Sequence, residues 1–168
     1  MRECLTKPFA LLLCALSAVL LAGCASPTGI LPGTPDSVVR SRLGAPDAVH
    51  ALPDGRRLEY VLGPYQQEVF MVDLDAAGTV RQVRQVRTAE NFARLQPGRD
   101  RVADVQREFG TPWKVERYRA SGLTAWLYPY LEGSFYSMMA VHVDDRGVVQ
   151  SVQNGPDPRF LGGGNRPD

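Results

Sequence analysis

The chain has 168 residues, 44 % of them apolar and 22 % charged, with a formal net charge of +1, the composition of a folded globular protein rather than of a disordered tail. So small a net charge gives no electrostatic support for nucleic-acid binding or for a polybasic contact with a membrane. The three cysteines, Cys4, Cys14 and Cys24, all lie near the start, so the body of the protein has neither a disulfide framework nor a cysteine nucleophile.

Arg2 and Lys7 introduce an apolar run from Pro8 to Leu21, the charged start and short hydrophobic middle of a secretory signal. At about 14 residues the run falls short of the roughly 20 that a helix needs to span a bilayer. It ends on Leu21-Ala22-Gly23-Cys24, which resembles the lipobox of bacterial lipoproteins. That resemblance implies cleavage after Gly23, lipidation of the Cys24 sulfur and acylation of the new amino terminus. Three acyl chains, each CH₂ worth roughly 0.8 kcal/mol when buried, make such attachment effectively permanent. Ala25 is not the aspartate that retains many lipoproteins in the inner membrane, so the analogy implies the periplasmic face of the outer membrane. Residues 1–23 are then the signal peptide and 24–30 a lipidated linker. Without Arg2, Lys7 and Glu3 the mature chain carries 19 − 2 = 17 basic and 18 − 1 = 17 acidic side chains.

From residue 31 the chain states one unit twice. Gly33-Thr34-Pro35-Asp36 leads to Val39, Leu43, Gly44 and Pro46, as Gly98-Arg99-Asp100 leads to Val105, Phe109, Gly110 and Pro112. From Val39 onward an offset of 66 relates them and carries Val49 to Val115 and Tyr60 to Trp126. Beyond Tyr60 the offset is 69, pairing Val72 with Val141, Asp75 with Asp144, Gly78 with Gly147, Val80 with Val149 and Val83 with Val152. Apolar positions that stay in register beside the glycines and prolines indicate an internal duplication. The units are 31–87 and 96–153, joined by a connector at 88–95 and followed by a tail, 154–168, that reads as disordered.

Each unit opens with a short helix. Thr34 and Asp100 are the expected N-caps, with Pro35 at the first helical position. Val39 with Leu43, and Val102 with Val105 and Phe109, share a face at spacings of three and four. Gly44 and Gly110 end the helices, and Pro46 and Pro112 forbid their continuation. The period then becomes two. Asp47 to Leu52 and Arg57 to Leu62 read as a hairpin around Pro53-Asp54-Gly55, and Trp113 to Arg119 and Leu123 to Tyr128 repeat it around Ala120-Ser121-Gly122. Third strands carry Phe70, Val72 and Leu74, or Met139, Val141 and Val143. The turns Asp75 to Gly78 and Asp144 to Gly147 lead to fourth strands at Val80 and Val149. Valines three apart, at 80, 83 and 86, predict a bulge there, or else a short helix. The expected class is α+β: two tandem repeats, each a short helix packed on a three- to four-stranded antiparallel meander.

The capped helix, Leu43 or Phe109 before Gly-x-Pro, and the aromatic strand with its Asp-x-x-Gly hairpin resemble the SmpA/OmlA (BamE) family of outer-membrane lipoproteins. The residues concerned are Gly33, Val39, Leu43, Gly44, Pro46 and Tyr60, and again Gly98, Val105, Phe109, Gly110, Pro112 and Trp126. Two such units in tandem are similar to the arrangement of the β-lactamase inhibitor protein, whose joined sheet grips another protein. The resemblance implies a protein partner and the outer membrane, with the barrel-assembly machinery as one candidate partner.

Site chemistry is thin. His50 and His142 stand on strands with no cysteine or serine spaced beside them as in a catalytic pair, so no catalytic residue is assigned and no enzyme activity expected. Asp73-x-Asp75-x-x-Gly78 lacks the later ligands of a calcium loop, so no metal and no cofactor is expected. Arg81, Arg84 and Arg87 read as a solvated edge. The partner surface is placed at Tyr130, Phe135 and Tyr136, because aromatics at a loop edge are typical anchors and the insertion that breaks the repeat is expected there. Trp126 reads as core. The function this reading favours is a non-catalytic, protein-binding outer-membrane lipoprotein in envelope or outer-membrane-protein assembly. The alternative is an inhibitor-like module that holds a soluble periplasmic protein through its joined β-sheet, with no nucleic acid or small-molecule substrate in either case.

Overall fold

The structure, a computed structural model, describes residues 26–161. The lipobox residues Leu21, Ala22 and Gly23, the lipidation position Cys24 and tail residues 162–168 lie outside the described residues. The fold is α+β and consists of two repeat-like halves. The first contains α1 (Asp36–Leu43), β1 (Ala48–Leu52), β2 (Gly55–Leu62), β3 (Glu68–Asp75) and β4 (Val80–Gln85). A short helix α2 (Ala89–Phe92) lies in the connector. The second half contains α3 (Val102–Phe109), β5 (Lys114–Arg117), β6 (Thr124–Glu132), β7 (Phe135–Val143) and β8 (Val149–Pro156). Each set of four strands forms its own antiparallel sheet in sequential order. The expected joined sheet is therefore two sheets: none of the described strands of one pairs with a strand of the other.

The helices start differently from the sequence expectation, and in the same way in both halves. Thr34 does not cap α1; its hydroxyl donates to the Leu31 carbonyl at 2.7 Å, and the Asp100 carboxylate accepts from the Gln96 amide instead. The free first-turn amides turn to the hairpin opposite. The Asp36 N–H donates to the Gly78 carbonyl and the Val102 N–H to the Gly147 carbonyl, at 2.8 and 2.9 Å. The turn that links the third and fourth strands thus caps the helix of its own half, satisfying donors that a helix start leaves open.

Strand register refines the repeat. Tyr60 faces Phe70 and Tyr128 faces Met139; because Met139 lies 69 residues beyond Phe70, Tyr60 corresponds to Tyr128, at an offset of 68, and not to Trp126. Of the three extra residues in the second half, two thus fall in the turn between β5 and β6 and one at the tip between β6 and β7. The predicted bulge is present in both halves. Asp73 faces Gln82 while Leu74 faces Val80, and His142 faces Ser151 while Val143 faces Val149, leaving Arg81 and Gln150 as the extra residues.

Period-two alternation sends successive side chains to opposite faces. On one face of the first sheet Leu58, Tyr60, Phe70, Val72 and Leu74 bury Val39 of α1. On one face of the second sheet Tyr128, Tyr130, Met139, Val141 and Val143 bury Val105 and Phe109 of α3 together with Phe92 of α2. Phe92 stacks on Phe109 at 4.3 Å between ring centres. The carboxyl end of α3 also meets the back of the first sheet, where Arg57 reaches the Arg107 carbonyl and Arg84 reaches Glu108, so this helix belongs to both halves.

Candidate partner-binding surface

The joint between the halves is a polar grip on the end of α3. Arg57 donates to the Arg107 carbonyl at 2.6 Å and to Asp73 at 2.8 Å, and Arg84 donates to Glu108 at 2.9 Å. Burial opposes the charge of Asp73, but hydrogen bonds from Arg57 and Gln82 outweigh it and hold the carboxyl below its ordinary range. Arg87, expected on a solvated edge, is 1 % exposed. Its guanidinium donates to the carbonyls of Phe109 at 3.1 Å, Gln66 at 3.0 Å and Thr111, and lies over the Tyr128 ring at 5.2 Å. Burial pushes its pKa down to about 10. Five donors in a planar fork are what three converging carbonyls need. Glu59, also fully buried, accepts from the Thr111 amide at 2.9 Å and bonds the His50 ring at 2.7 Å. Arg81 alone of the three arginines stays on an exposed edge, paired with Asp54.

The three aromatic residues expected to form one surface separate. Tyr130 is a correction: it is fully buried in the second core, in edge contact with Phe92 at 5.4 Å. Burial, then Glu132, raises its pKa to about 12. The reason is strand length. β6 runs on to Glu132 and turns over only two residues, Gly133 and Ser134, so Tyr130 keeps the inward parity of Tyr128 instead of entering a loop. Phe135 and Tyr136 do stand at the tip, at 77 % and 42 % exposure, but on opposite faces of β7.

Sequence reasoning did not find the rest of this tip. Tyr136 stacks on Phe160 at 4.2 Å, and Tyr65 sets its edge against both, at 6.0 and 5.0 Å. Arg159 donates to the Tyr65 carbonyl at 3.2 Å and lies over Trp113 at 4.6 Å. Residues 154–161, expected to be disordered, thus complete β8 and fold as a 3-10 turn at Pro158–Phe160. A signal for that turn was present: Asp157 accepts from the Arg159 amide, with Pro158 at the first helical position. An open cleft of about 480 Å³ between the hairpin tip and this turn is lined by Glu132, Phe135, Tyr136, Asn154, Phe160 and Leu161. Leu131, Phe135, Tyr136 and Leu161 leave the patch markedly apolar at its surface.

The histidines and aspartates show structural engagement. His142 is buried, which lowers its pKa, and its ring lies 3.3 Å from the Ser151 hydroxyl across the strand pair, a neighbour that sequence spacing did not reveal. Asp75 accepts from the Thr79 amide at 2.8 Å within its turn. Among the described residues no group of three or more possible metal ligands converges, and no helix is long and apolar enough to cross a membrane.

No family model matches the chain, and no curated protein matches it. Two solved structures are similar in part. A DUF4309 family protein (YjgB) from Bacillus subtilis is 13 % identical, over 73 % of this chain and 78 % of its own, with a TM-score of 0.32. A candidate beta-lactamase inhibitor protein from Streptococcus mutans is 12 % identical, over 86 % of this chain and 96 % of its own, with a TM-score of 0.33.

Proposed function

We propose that this protein is a non-catalytic protein-binding module, held by lipid on Cys24 at the periplasmic face of the outer membrane and serving in cell-envelope or outer-membrane-protein assembly. The binding role rests on the apolar hairpin tip, where Phe135 stands 77 % exposed on one face of β7 and Tyr136, paired across the strands with Leu131, stands 42 % exposed on the other. Large apolar side chains gathered at one exposed place, with a polar rim of Glu132, Ser134 and Asn154, are the anatomy of a protein contact. The location rests on the lipobox Leu21-Ala22-Gly23-Cys24 alone.

Alanine at Phe135 or Tyr136 is expected to cost about 1–2 kcal/mol of partner affinity, roughly 5- to 30-fold, with the melting temperature unchanged for Phe135 and lowered slightly for Tyr136, which loses its Phe160 stack. Crosslinked co-purification from envelope fractions measures it. Recovery of barrel-assembly components that is lost in the variants supports the assembly role. A single soluble periplasmic enzyme would favour an inhibitor-like module instead, and recovery unchanged in both variants rejects the tip as the contact. The anchor is tested separately by labelled palmitate, whose incorporation should vanish in Cys24→Ser.

A further inference from the structure

The two sheets have four edge strands, and three of them are guarded. β4 and β8 each carry a bulge, with Arg81 and Arg84 on the first and Pro156 ending the second. β5 reads Lys114-Val115-Glu116-Arg117, charged at three of its four positions. Charge, proline and bulges are the devices by which natural proteins keep sheet edges from pairing. β1 has none of them. It reads Ala48-Val49-His50-Ala51-Leu52 and pairs in regular register with β2 over its whole length. The duplication makes β5 its internal control, since the offset of 66 sets Lys114 at the place of Ala48, Glu116 at that of His50 and Arg117 at that of Ala51.

No other described strand or isolated bridge pairs with β1, so alternate N–H and C=O groups along it face outward. Val49 is 53 % exposed and Ala51 is exposed on the same face. An added extended backbone satisfies such a row of groups in place of water, and an uncharged one suits the side chains beside it. β1 is itself such a segment, and its pattern is symmetric about His50. In an antiparallel pair centred there, Val49 lies opposite Ala51 of the mate and Ala48 opposite Leu52, with apolar side chains meeting at both positions. The two His50 rings meet at the axis, each already bonded to its own Glu59 at 2.7 Å.

We propose that β1 is a two-fold contact at which a second copy of this chain adds antiparallel, joining the two first-half sheets into one sheet of eight strands. The contact is isologous and closes on itself, giving a dimer and not a fibre. It leaves the hairpin tip of the second half untouched, so it stands whether or not the tip binds a partner.

Sedimentation of the purified full chain in detergent, with hydrogen exchange followed at residues 48–52 and 114–117, tests this. The expected result is a mass that doubles with concentration while amides of β1, but not of β5, become protected. Ala51→Lys, which copies the guard at Arg117, should raise the dissociation constant roughly tenfold or more and abolish the protection without changing the melting temperature at concentrations where both proteins are monomeric. Ala48→Lys, the counterpart of Lys114, repeats the test should the first variant fold poorly. A chain that stays monomeric to millimolar concentration overturns the proposal. So does a dimer whose β1 amides exchange as in the monomer, or one that persists in the lysine variants.

Discussion

Gly44 and Gly110 end α1 and α3 in the same positive-φ, extended backbone that favours glycine, with φ of +83° and +78°, yet they are not equivalent. A Cβ at Gly44 would meet nothing within 4 Å, whereas one at Gly110 would stand 2.4 Å from the buried Glu59 carboxylate. Alanine at Gly44 is expected to cost about 1–3 kcal/mol of backbone strain, and alanine at Gly110 the same plus about 1–3 kcal/mol of overpacking. Thermal melts of the two variants compare them directly. Equal losses would mean that Glu59 is not seated against the α3 corner. Both glycines were legible as helix ends because a cap is a local matter. The second duty of Gly110 was not, because the group that crowds it comes from a strand 51 positions earlier. Arg87 was misread for the same reason: the carbonyls that justify its burial belong to Gln66, Phe109 and Thr111, and nothing around position 87 announces them.

At the level of elements, alternation and the helix-ending glycines carried most of the information, and the structure follows them. Both hairpins, the third strands and the bulge after Val80 appear where apolar spacing placed them, since each is decided by residues a few positions apart. What spacing could not decide was how far β6 continues. With aromatic residues and a proline near its end, the segment Tyr128 to Tyr136 reads equally as strand or loop, and the strand won because Tyr130 completes the core around Phe92 and Phe109. Tyr130→Ala is therefore expected to destabilise the fold by about 3–5 kcal/mol, the usual cost of a lost core aromatic. Phe135→Ala, five residues on, should leave stability nearly unchanged. Denaturant titration of both variants checks this, and a small loss at Tyr130 would return it to the surface. The tail was misjudged on composition: glycine after Leu161 suggested disorder for the whole of it, while Phe160 and Arg159 have partners in Tyr65, Tyr136 and Trp113.

Taken whole, the molecule is two units that share a helix. Each half offers one short helix and four strands, close to the size at which core burial barely offsets chain entropy. The joint supplies what is missing, through Arg57, Glu59 and Arg87 on one side and the α3 corner on the other. Calorimetry of the intact protein should therefore show a single cooperative transition, and residues 24–95 or 96–155 expressed alone should be unstable. Two separate transitions would show instead that the halves are independent domains. A chain that emerges from its amino terminus gives the same joint a meaning in time. Strands β1 to β4 pair only with sequence neighbours, but the Glu59 carboxylate and the Arg57 and Arg87 guanidiniums keep open positions until residues 107 to 111 arrive. Until then that charged face has only water for a partner, and the later unit, by delivering its corner, finishes the earlier one.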